Sequence, residues 1–70
     1  MNMRTANSQV QELFKDGEFE NLLESARMNA SSDWEESFVA DMKTRFDQYG
    51  KRMYISSSQR EHIERIANDD

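Results

Sequence analysis

Proline is absent from this chain and glycine occurs only at Gly17 and Gly50, so little in it interrupts a helical backbone. The stretches bounded by those glycines read as helices. "NSQVQELFKDG" offers Asn7 or Ser8 as an N-cap, sets Val10, Leu13 and Phe14 on one helical face, and stops at Gly17. "EFENLLESARMN" puts Phe19, Leu22, Leu23 and Ala26 on one face, with Glu18 and Glu20 near its start, Arg27 near its end and Asn29 as a cap. With Gly17 as a tight corner, these first two helices are expected to form a hairpin whose apolar stripes face each other.

"SSDWEESFVADMKTRFDQYG" carries the clearest helix. Ser32 and Glu35 have the spacing of a capping box, Asp33, Glu35 and Glu36 load the first turn with negative charge, and Gly50 marks the end. Its apolar stripe, Trp34, Phe38, Met42, Phe46 and Tyr49 with Val39 alongside, is expected to be the spine of the core, and Trp34 the residue on which the fold most depends. "KRMYIS" breaks the helical period and offers at most a few extended residues in Met53, Tyr54 and Ile55, too few for an independent sheet, so it reads as an ordered loop. A last helix follows, started by Ser56 with Gln59 or by Ser58 with Glu61, and buried through Ile63 and Ile66. The predicted fold class is therefore all-α, a small compact bundle of about four short helices. It forms one domain over residues 1–70, with 1–6 and 68–70 expected to fray.

A chain of 70 residues buries only about 60% of the surface its unfolded form exposes, so its core must be small. Without cysteine it has neither disulfides nor thiolate metal sites, which fits a reducing compartment and leaves packing to supply the folding energy. No apolar run approaches the roughly 18 residues of a membrane span, and "MNMRTANSQVQ" lacks the apolar segment of a signal peptide. A soluble cytoplasmic protein with no membrane partner is the expectation. The net charge of −5 argues against a protein that coats DNA through its whole surface. That charge is uneven: residues 1–42 hold nine acids and three bases, whereas residues 43–66 hold six bases (Lys43, Arg45, Lys51, Arg52, Arg60 and Arg65) and three acids.

Catalytic constellations are not found. His62 is the only imidazole and has neither the second histidine nor the cysteines of a zinc site, so it reads as a solvated helix residue. Ser56, Ser57 and Ser58 are explained by capping, and neither glycine belongs to a phosphate-binding loop. No enzyme activity, metal or cofactor is expected. Two binding surfaces remain. Lys43, Arg45, Lys51, Arg52 and Arg60 surround Tyr49 and Tyr54, the mixture of cations and stackable rings that suits single-stranded DNA or a nucleoprotein complex. The helix start at Ser56 to Ser58 adds backbone N–H groups able to receive a phosphate. Against this stands the plainer reading that Tyr49 and Ile55 pack inward while the bases neutralise Asp47, Glu61 and Glu64. The second surface, Glu18, Glu20 and Glu24 with Glu12 and Asp16, could bind a basic host protein, for instance as an inhibitor of a host or defence complex, or could serve only solubility. Apolar surface left over from a short bundle also keeps homodimerisation open.

"DWEESFVADMKTRFDQYGKRMYISSSQREHIERIA" joins a tryptophan, an acidic-aromatic helix, a glycine turn, a short hydrophobic approach and a Ser-x-x-Gln helix start. In these elements, carried by Trp34, Phe38, Gly50, Ile55, Ser56 and Gln59, it resembles the small phage domain encoded beside the recombination helicase UvsW and named after it. The resemblance covers residues 33–67, about half the chain, and "LFKDGEFENLLESAR" is compatible with that domain's N-terminal helices. It implies a phage origin and an accessory role in DNA replication, recombination or repair, without helicase activity. It transfers no catalytic residue.

Overall fold

The computed structural model describes residues 7–68; the fraying expected of 1–6, Asp69 and Asp70 lies outside the described residues. In chain order it holds β1 (Ser8–Gln9), α1 (Val10–Leu13), α2 (Glu18–Asn29), α3 (Asp33–Tyr49), a 3-10 turn (Gly50–Arg52), β2 (Tyr54–Ile55) and α4 (Ser57–Ala67). The chain is thus mostly helical, as its uninterrupted periodicity implies, with one two-stranded ribbon added. α2 packs most extensively on α4 and less on α3. The core is drawn from every helix: Val10; Phe19, Leu23 and Ala26; Val39 and Met42; Ile63 and Ile66. Met53 and Ile55, from the segment between α3 and α4, complete it.

The helix boundaries follow local chemistry. At α3, Ser32 Oγ accepts the Glu35 N–H at 3.1 Å. The Glu35 carboxylate turns instead to the N–H of Ser31, at 2.9 Å, so the capping box is only half formed. At α4 the box is complete, with Ser56 Oγ accepting from Gln59 N and Gln59 Oε1 accepting from Ser56 N, at 3.1 and 3.0 Å. Of the two starts the sequence allows, the chain uses Ser56 with Gln59. Gly17 and Gly50 have φ of 81° and 59°, positive values that a side chain disfavours; Gly17, left-handed, precedes α2, and Gly50, with ψ −140°, ends α3.

Several expectations are corrected. α1 spans only Val10–Leu13, and its N-cap is Gln9 rather than Asn7 or Ser8. The reason is tertiary: Ser8 pairs with Ile55 and Gln9 with Tyr54 in an antiparallel ribbon, and the Val10 N–H donates to Met53 O at 2.9 Å. "KRMYIS" is therefore not merely a loop but a strand approach that buries Met53 and Ile55, each worth about 1.5–3 kcal/mol. The first two helices do not form the expected hairpin. α1 rests chiefly on the 3-10 turn and β1, and Phe14, just past its end, reaches Phe19 with ring centroids 5.2 Å apart.

The spine of α3 is also differently placed. Val39 and Met42 are buried, Phe38 and Phe46 are half-buried, and Trp34 and Tyr49 stay 54% and 60% exposed. Trp34 stacks on Phe38, centroids 5.2 Å apart, and meets the edge of His62 at the same separation, so it lids the core rather than filling it. His62 is correspondingly half-buried, not a freely solvated helix residue. Asn29 does not cap its own helix, whose C-cap is Ala30; its Nδ2 donates to Ile66 O at 3.2 Å and Ala67 O at 2.9 Å, closing the end of α4. Asn68, grouped with the tail by sequence, stands at the C-cap of α4 and donates from Nδ2 to Glu64 O.

Candidate functional site

The basic residues singled out by sequence do not form one patch. Lys43 pairs with Asp47 at 3.0 Å on the side of α3 that faces α2. Arg45 stands about 200° further round the helix, where its Nη2 donates to Tyr54 O at 2.8 Å and ties α3 to β2. Arg60 belongs to α4, paired with Glu64 at 3.2 Å and lying over the Phe14 ring at 5.3 Å. Two helices thus carry these three cations in different directions. The neutralisation of Asp47 and Glu64 foreseen in the plainer reading is observed, and Ile55 does pack inward.

Lys51 and Arg52 are the exception. They sit on the 3-10 turn, with Tyr49 immediately before it and Tyr54 just after, and Tyr49 does not turn inward: the two residues are 60% and 54% exposed. Buried Met53 and Ile55 fix the backbone on either side of Tyr54, and strand alternation sends its ring outward. Lys51 Nζ lies 3.0 Å from Asp16 Oδ1, and both side chains are largely exposed, so that ion pair is held by little. Arg52 has no carboxylate partner among the described residues. The result is a corner with two cations between two accessible rings. At the neighbouring start of α4, Ser57 and Ser58 are exposed while Ser56 is occupied in its cap.

The acidic residues are also divided. Glu18 accepts the Lys15 N–H at 2.8 Å and serves the entry into α2. Glu20 and Glu24 instead stand a turn apart on the rim of an open groove between α2 and α3, about 680 Å³ in volume. Glu24 is joined to Arg27, whose hydrogen bond and charge hold its carboxyl below the usual range. Across the groove stand Glu36 and Asp47, with Leu23, Val39 and Phe46 between the two walls. Sequence reading assigned those three to the core and gave Glu36 only to a helix start. The overlooked signal was Ala40 and Thr44, small side chains a turn apart on α3 that leave the groove unfilled.

Among the described residues there is no group of three or more histidine, cysteine or acidic side chains able to hold a metal ion. No helix among them is long and apolar enough to cross a membrane. In comparison with known proteins, no family model, curated protein or solved structure matches this chain.

Proposed function

We propose that this chain is a small non-enzymatic accessory protein of phage DNA replication, recombination or repair, working in the host cytoplasm, that makes a weak contact with single-stranded DNA or a nucleoprotein complex. The observation that carries the contact is the corner formed by Tyr49, Lys51, Arg52 and Tyr54, where two exposed rings flank two cations. Stacking on such rings tolerates any base, and the cations answer the phosphates, so the interaction is sequence-independent and sensitive to salt. Arg45 adjoins this corner through its hydrogen bond to Tyr54 O, whereas Lys43 and Arg60, paired with Asp47 and Glu64, contribute to the surrounding potential. The biological setting rests on the resemblance of residues 33–67 to the small phage domain.

Fluorescence anisotropy of labelled single-stranded and duplex DNA, titrated at low and moderate salt, tests the contact. Binding should favour the single strand and weaken with salt. Each phosphate contact adds about 0.7 to the logarithmic salt slope for single strands, so Lys51→Glu with Arg52→Glu should flatten that slope by about 1.4. An unchanged slope, or no binding at low salt, would remove DNA from the reading.

A second reading, an acidic protein-interaction module, is favoured by the groove. Glu20 and Glu24 face it together, while Glu18 is occupied elsewhere.

A further inference from the structure

The α2/α3 groove has two properties that together specify an occupant. Its floor is apolar: Leu23 and Val39 are buried beneath it and Phe46 is half-buried at one end. Its rim is acidic: Glu20 and Glu24 on α2 face Glu36 and Asp47 on α3. Arg27 and Lys43 offset Glu24 and Asp47, whereas Glu20 and Glu36 have no cation partner among the described residues. The rim therefore keeps an excess of negative charge on both sides.

We propose that this groove docks one amphipathic helix of another protein, about three turns long, with an apolar stripe bordered by lysine or arginine. The length follows from α3: Glu36 to Asp47 is eleven residue steps, about 16 Å at 1.5 Å per residue. The helical form follows from the walls. Both are α-helices whose backbone groups are bonded internally, so neither offers an edge for an added strand, and a helix laid in the groove is the mode that remains. Charge disfavours other occupants: nucleic acid would meet an excess of carboxylates of its own sign, and a symmetric dimer through this face would set one net-negative rim against another. The exposed pairs Glu24–Arg27 and Lys43–Asp47 cost little to rearrange, so cations on the incoming helix can take their places. The inference rests on the reading of the acidic face as a protein-binding surface and names that surface's partner.

The test is an NMR amide-shift titration of the full chain with a synthetic helical peptide bearing a leucine stripe flanked by lysines. Two controls accompany it: the same composition shuffled to erase the stripe, and a version with glutamate in place of lysine. Saturable shifts at Leu23, Val39, Ala40 and Thr44, with the shuffled and acidic peptides at least tenfold weaker, are expected. Glu20→Lys with Glu36→Lys, both exposed, and Ala40→Trp, which fills the groove from an exposed position, should each weaken binding by about tenfold or more while leaving the dispersed spectrum of a folded chain. Equal binding of the shuffled peptide on α2 and α3 would overturn the helical partner and leave only an acidic protein-binding surface. Shifts confined to other faces, or a chain already dimeric through α2 and α3, would overturn both.

Discussion

Met42 and Trp34 lie on the same helix but carry different burdens. Met42 is fully buried, and replacing it with alanine leaves a cavity where α3 meets the core; the expected loss is about 2–5 kcal/mol. Trp34 keeps more than half its surface and contributes a stacked contact with Phe38 and an edge contact with His62. Aromatic pairs are worth about 0.5–1.5 kcal/mol each beyond their buried area, so Trp34→Ala, which removes two such contacts, should cost about 1–3 kcal/mol, less than Met42→Ala. Urea denaturation followed by circular dichroism orders the two variants. A greater loss from Trp34→Ala would return the tryptophan to the centre of the core. The misplacement has a geometric cause. Residues spaced four apart advance about 40° round a helix at each step, so a stripe running through 34, 38, 42 and 46 drifts off the face centred on Val39 and Met42. Trp34, at the start of that drift, arrives at the edge.

Elements were legible in proportion to how local their causes are. The starts of α3 and α4 and the end of α3 at Gly50 depend on residues within a turn of each other, and they stand where the spacing put them; α1, by contrast, stops at Leu13, short of Gly17. The β1–β2 ribbon joins two-residue strands from opposite ends of the chain, Ser8–Gln9 and Tyr54–Ile55. No pattern in either segment announces the other, and with the ribbon unseen, α1 was started too early; its end at Leu13, where Phe14 turns extended, is a separate difference. The candidate site was legible only in part, for a similar reason: Lys43 and Arg45 are near in sequence but point to opposite sides of α3, and the α2/α3 groove exists only between elements. Two substitutions weigh the local causes. Ser56→Ala removes the cap in use and should cost about 1 kcal/mol, whereas Ser58→Ala, exposed and outside the cap, should change the melting midpoint little. Equal effects would mean both starts are populated. Gly50→Ala meets no neighbouring atom within 4 Å, so its expected cost of about 1–3 kcal/mol comes from the backbone conformation alone, φ 59° with ψ −140°.

At the scale of the whole molecule, the core is shared too widely for any part to stand by itself. Met53, Ile55, Ile63 and Ile66 all follow Tyr49, and they supply four of the ten buried apolar residues among those described. At about 1.5–3 kcal/mol each, their burial is comparable with the whole stability of a chain this size, about 4–10 kcal/mol. A fragment ending at Tyr49 should therefore lack stable structure even though it contains all of α1, α2 and α3. The intact chain should unfold in one step. Trp34 offers a direct probe, because its contact with His62 spans α3 and α4 and its fluorescence reports their docking. In a urea titration its emission and the far-ultraviolet circular dichroism should trace one coincident transition. Emission that changes at lower urea than the helical signal would mean that α4 leaves first and that α2 and α3 keep their pairing without it. In that case the groove between them would survive on a shorter chain, and the fragment ending at Tyr49 would be folded after all.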